Sequence, residues 1–221
     1  MIGNKIAFFS SLVLLSICML LFFPYPNHPM YGMRSSFMSF PIRDHEGYIM
    51  LGIFGSILFV IAMILLVIGL KKYHFRSVLL VAIIYSLLPN ALIFIYQETF
   101  ATGIYAVSYD QMGRCEFDTI DEDLKIMEGE CQLELKNHSN KPVTFELEFL
   151  DSYIAKENRS ESLMNVAGPF AITIEGNQKK LIDLKETLDV STIPNHIHSG
   201  YSNNVHIKII DNKASRILSG L

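Results

Sequence analysis

The sequence predicts a membrane α plus all-β protein, with three transmembrane helices followed by an extracytoplasmic two-sheet β domain. Two observations carry that expectation. Three long uncharged apolar runs fill the opening hundred residues, and an acidic remainder follows in which apolar residues alternate with polar ones. The runs are Ile6 to Phe23, Ile49 to Leu70 and Val78 to Tyr96, of eighteen, twenty-two and nineteen residues. A helix needs about 20 residues to cross a hydrocarbon core roughly 30 Å thick. A core helix of a soluble protein keeps a polar stripe, so runs that are uncharged on every side point to lipid.

The 221 residues are 50 % hydrophobic and 18 % charged, which is an average of two unlike parts. Residues 1–104 hold six Lys/Arg against three Asp/Glu, whereas residues 105–221 hold twelve against nineteen. A membrane region, 1–104, is therefore expected to give way to a folded domain, 105–221, that is long enough for its own core. Its acidity excludes the basic footprint that nucleic acid requires. The expected partners are the lipid bilayer and another membrane or envelope protein.

Orientation follows from Lys and Arg in short loops, because these resist translocation while acidic residues matter little. The connector 71–77 packs Lys71, Lys72 and Arg76 into seven residues, which predicts a cytoplasmic loop. The N-terminus, two spans away, is then cytoplasmic, and both the 24–48 loop and the C-terminal domain lie outside. The first run follows Lys5 as the apolar stretch of a signal peptide follows its basic start, but its bulky exit, Leu20-Leu21-Phe22-Phe23-Pro24, lacks a small-x-small cleavage pattern, so it is read as a retained span. Tyr25 and Tyr31 fall where aromatic anchors sit at the headgroups.

Polar groups inside the spans mark places where a helix meets a partner. Pro89 removes a backbone donor and predicts a kink in the third span, with Asn90 beside it as interhelical glue. Gly52 and Ser56 form a small-xxx-small pair suited to close helix approach.

In the outer domain, Cys131, Leu133 and Leu135 alternate with Gln132, Glu134 and Lys136. After the turn-forming 137–142 segment, Val143, Phe145, Leu147 and Phe149 alternate in the same way. Phe170, Ile172 and Ile174 lead to a turn at 175–178 and then to Leu181 to Leu184, and Val205, Ile207 and Ile209 close the pattern. Period-two alternation broken by Asn, Gly, Ser and Pro clusters predicts short strands, and no amphipathic helix interrupts them. A two-sheet sandwich of immunoglobulin-like type is the expected fold. The run from Glu130 to Leu150, in which a strand ends in Asn137-His138-Ser139 and the next begins after Pro142, resembles the opening hairpin of bacterial extracytoplasmic immunoglobulin-like or fibronectin-like domains. That resemblance implies a module that binds, spaces or scaffolds rather than catalyses. The Trp of antibody domains is absent, as the chain has none.

If their segments are strands, Cys115 shares a face with Phe117 and Cys131 with Leu133, so both point inward in a compartment where disulfides persist, and a Cys115–Cys131 bond is expected. Cys18 reads as a small apolar residue of the first span. His196 and His198 have a spacing that can place two imidazoles on one metal, with His206 nearby, but a polar loop accounts for them as well, and no metal or other cofactor is expected. Asp118, Asp121, Glu122 and Asp123 lack the spacing of a calcium loop. Asn137 and Asn158 head glycosylation sequons.

No nucleophile elbow, phosphate loop, dinucleotide fingerprint or HExxH appears, and no convergent acid, base and nucleophile set is read from the chain. The expected function is therefore non-enzymatic: a multi-pass membrane protein with an outward-facing binding or scaffolding β-domain. The alternative is an accessory subunit of a transporter, or an envelope enzyme using the His196/His198 region.

Overall fold

Three helices precede two antiparallel sheets. The computed structural model describes residues 2–23, 25, 42–44, 47–109, 113–121, 125–151, 159–203 and 205–219, and the chain divides into two units, residues 1–94 and 95–221. Most of the 24–48 loop, including Tyr31, lies outside the described residues, as do Glu122, Asp123 and Asn158.

In the first unit, α1 spans Lys5–Leu21, α2 Met50–Gly69, and α3 begins at His74 and ends at Thr99. Two-residue strands β1, Arg43–Asp44, and β2, Gly47–Tyr48, pair before α2. Asn4 caps α1, its side-chain oxygen accepting from the Ala7 N–H at 3.2 Å. By length and composition α2 and α3 are long and apolar enough to cross a membrane, while α1 is shorter at 17 residues, a rise of about 26 Å.

α1 and α2 run antiparallel and meet along a seam of small residues seven apart: Gly55, Ala62 and Gly69. A Cβ at Gly69 would lie 2.7 Å from the Phe8 backbone nitrogen, and one at Gly55 would lie 2.3 Å from the Phe22 ring. Between them Ser11 Oγ donates to the Ala62 carbonyl at 2.8 Å, and the Tyr85 hydroxyl of α3 donates to the Leu15 carbonyl. Glycine and alanine let backbones come this close, and hydroxyls reach the spare lone pair of a helical carbonyl.

Of the small pair expected to mediate approach, Gly52 is buried. Ser56 Oγ donates back to Gly52 of its own helix at 2.8 Å. Pro89 is buried inside α3 and Asn90 beside it is exposed.

The second unit starts with the last turn of α3, followed by a 3-10 turn at Gly103–Ala106. Its strands are β3 Val107–Tyr109, β4 Arg114–Thr119, β5 Ile126–Asn137, β6 Val143–Leu150, β7 Phe170–Ile174, β8 Lys179–Asp189, β9 Ser199–Ser202, β10 His206–Ile210 and β11 Ser215–Ser219. One sheet has the order β11-β10-β6-β7. In the other, β5 pairs with β8 along one side and with β3 and β4 in succession along the other, and β9 lies beyond β4. Each pairing between these strands is antiparallel, and an isolated parallel bridge joins Arg159 to His196.

The alternation in sequence becomes the core. Phe117, Leu133, Leu135, Phe145, Leu147, Phe149, Ile174, Ile207 and Ile209 are all buried, and the polar residues between them face away.

The strand, turn and strand of 131–149 is an arch rather than a hairpin, because β5 and β6 belong to different sheets. Asn137 explains why. Fully buried, its side-chain amide nitrogen donates to the carbonyls of Lys141, Ile174 and Glu175 at 2.8, 3.1 and 3.2 Å. Its oxygen accepts from the Ser139 N–H and hydroxyl at 2.9 and 2.8 Å. The β7–β8 connection is a second arch nested on the first, with Asn177 donating its N–H to the Ser139 carbonyl at 2.9 Å. Asn177 has φ 55°, a left-handed conformation that asparagine tolerates. One residue thus ties two sheet-to-sheet crossings together.

Candidate functional site

A polar cluster of the second unit surrounds the start of β3. Ser108 stands mid-strand between the buried Val107 and Tyr109, so its side chain takes the other face, where Lys136 of β5 lies directly opposite. β5 then ends, and the His138 N–H donates to the Ala106 carbonyl at 2.9 Å, which swings the buried imidazole toward β3. Glu98 arrives from the last turn of α3. Its Oε1 lies 2.6 Å from His138 Nδ1 and 3.3 Å from Lys136 Nζ, while His138 Nε2 lies 2.8 Å from Ser108 Oγ.

In the neutral tautomer whose Nδ1 donates to the carboxylate, Nε2 accepts from the Ser108 hydroxyl. This hydrogen-bond order of carboxylate, imidazole and hydroxyl is the one that activates a serine nucleophile. The same bonds also fasten the end of α3 to the β domain. Gln97 Nε2 reaches the carbonyls of Tyr105 and Val107 at 3.4 and 3.3 Å. From β11, the buried Arg216 Nη1 reaches those of Ile104, Tyr105 and Val107 at 3.2, 3.3 and 2.6 Å.

The Ser108, His138 and Glu98 set escapes sequence reasoning because it comes from three elements, thirty and forty residues from the histidine. His138 sits within a sequon whose asparagine draws attention first. That Asn137, fully buried with its amide nitrogen on three carbonyls, cannot accept a glycan in the folded chain.

Cys115 and Cys131 stand directly opposite each other on β4 and β5 and form a disulfide within one sheet, both fully buried beside the core. Cys18 is free and buried. His196 and His198 stack edge to face with ring centroids 5.5 Å apart. His196 Nδ1 donates to the Ile193 carbonyl at 2.8 Å, and its buried Nε2 has no hydrogen-bond partner among the described residues. His206 lies on β10, where burial pushes its imidazole below the ordinary value and the Glu161 carboxylate partly opposes that shift.

Among the described residues no three His, Cys, Asp or Glu side chains gather as a metal site. Of the acidic run, Asp121 accepts from the N–H groups of Lys125 and Ile126, both at 2.9 Å, and so shapes the β4–β5 turn. Lys71, Lys72 and Arg76 are exposed at the α2–α3 connector, Arg76 lying 5.3 Å over the Tyr73 ring. Tyr109 has its hydroxyl buried, which pushes it up to about 12 despite the Gly113 N–H it accepts at 2.6 Å.

No family model, no curated protein and no solved structure matches the chain.

Proposed function

We propose that this chain is a multi-pass membrane protein whose immunoglobulin-like β-domain faces outward and works by binding or scaffolding rather than by catalysis. The observation that carries the reading is the contrast in apolar surface between the two units. Large side chains such as Ile6, Phe75 and Leu20 of the first unit are 80 %, 79 % and 76 % exposed, a surface that water does not tolerate over whole helices. The second unit buries the inward-facing apolar residues of its strands in one core beside a disulfide, although Phe100, Tyr201 and Leu181 are exposed.

In this reading the charges of Lys71, Lys72 and Arg76 keep the α2–α3 loop cytoplasmic, and the disulfide lies in an oxidising compartment. The partners are the bilayer and another membrane or envelope protein, and neither cofactor nor metal takes part. Purification of the full chain from its source in mild detergent tests this, since a stable heteromeric or homomeric partner is the expected result. Recovery as a lone chain with no partner would contradict it.

A second reading, hydrolysis of acyl groups, is favoured by the Ser108, His138 and Glu98 hydrogen bonds. A fluorophosphonate probe separates the two. The binding reading expects no labelling, whereas labelling of Ser108 that disappears in both Ser108→Ala and His138→Gln would transfer the function to an enzyme.

A further inference from the structure

Among the described residues β8 has a single strand neighbour, β5, which runs along its whole eleven-residue length. Other terminal strands are short, with four residues in β9 and five each in β7 and β11. The β7 edge carries its own cover, as Lys180 Nζ donates to the Thr173 carbonyl at 2.9 Å. An open edge as long as β8 is a template for one more strand.

We propose that this edge pairs with the same edge of a second copy of the chain, antiparallel, about a two-fold axis at Leu184. An axis normal to the sheet keeps each side chain on its own face, so only registers that match like-facing residues exist. With Leu184 opposite its own copy the whole strand overlaps. The solvent-facing row then sets Lys179 opposite Asp189, Leu181 opposite Thr187 and Asp183 opposite Lys185, followed by the same pairs in reverse.

Every charge in that row meets its opposite, which is the favourable cross-strand arrangement. A slide of two residues in one direction sets Asp183 against its own copy and Lys185 against Leu181. A slide the other way sets Lys185 against its own copy and Asp189 against Leu181. An edge defended against pairing repels in all registers, whereas this one repels in the neighbours and cancels in one.

The seam continues a charge lattice already present, since Lys185 lies 3.0 Å from Glu128 and Lys179 lies 2.8 Å from Glu134 of β5. On the inner face Leu184, half-buried against the core, meets its copy. This inference names the partner of the binding domain proposed above, and rests on that reading.

The test is the mass of the full chain in detergent by light scattering, with a far-UV spectrum of each variant to confirm folding. Wild type is expected as a dimer. Asp183→Lys and Lys185→Asp each set like charges at two symmetric crossings, and each weakens the dimer by about tenfold or more. The double charge swap restores it. A dimer indifferent to both single variants, or a double variant that fails to recover, overturns the inference. A monomeric wild type with a different co-purified partner overturns it and leaves the binding reading standing, whereas a monomer with none removes both.

Discussion

The two units solve the same packing problem with opposite materials. Where α1 meets α2 the contact is made by absence of side chain, at Gly55, Ala62 and Gly69, with large residues turned outward. The β domain turns most of its large strand residues inward and most of its charges outward. The first arrangement is stable where the surroundings are themselves apolar, because burying more hydrocarbon gains nothing there and close backbone contact does. The second is required where water is the solvent and apolar area drives folding. Each unit can therefore be broken by the kind of change the other absorbs.

The largest effect is expected in the β domain at Asn137. Asn137→Ala leaves three carbonyls and the Ser139 N–H without their partner at two nested arches, a loss of about 4 kcal/mol. Denaturation of the full chain in detergent, followed by its strand signal, measures it. A change under about 1 kcal/mol would remove Asn137 as the pin of the sheet crossings.

Next is the disulfide, whose cysteines are 16 positions apart and which contributes about 3 kcal/mol in the chain-entropy account. The wild-type chain should show one titratable thiol when denatured, that of Cys18, and reduction should lower its midpoint. Three thiols without reductant would contradict the pairing.

In the helical unit the expected break is Gly69→Val, which drives a branched side chain into the Phe8 backbone and costs about 2 kcal/mol. Ser56→Ala should cost little, since that hydroxyl serves its own helix. Equal effects in the two would place the helix seam elsewhere.

The smallest effect is a pH dependence at Tyr109, whose folded-state pKa burial raises from the ordinary 10.0 to about 12. The folded state holds the proton where the unfolded state has lost it, so this contribution is fully present below pH 10 and disappears as pH rises through 12. Tyr109→Phe should flatten stability across that window and lose about 1 kcal/mol at neutral pH with the Gly113 bond. An unchanged alkaline slope would assign it to another group.

Much of the fold was legible because it rests on periodicity. Alternation through Cys131 to Phe149 located two strands and their inward faces, and the pairing of Cys115 with Cys131 followed from those faces. Which strands share a sheet was not legible, since an arch and a hairpin present the same alternation and differ only in what the connecting loop bonds to. Asn137 decides it through carbonyls at Ile174 and Glu175, far along the chain.

In the helices, the Gly55, Ala62 and Gly69 spacing was present in the sequence but spread over seven-residue steps. Gly52 and Ser56 stand only four residues apart and are the easier pair to see. The Ser108, His138 and Glu98 cluster was invisible for a third reason, because each residue is ordinary where it stands and only β3–β5 pairing and the end of α3 bring the three together.

The central claim is that the acidic β domain stands outside the cell while the α2–α3 connector stays within. Single cysteines at the exposed His74 and Thr187 positions, treated in intact cells with a membrane-impermeant maleimide, test it most directly. The account predicts that His74→Cys is labelled only after permeabilisation and that Thr187→Cys is labelled at once. The reverse pattern, or both positions reached from the same side, would contradict it.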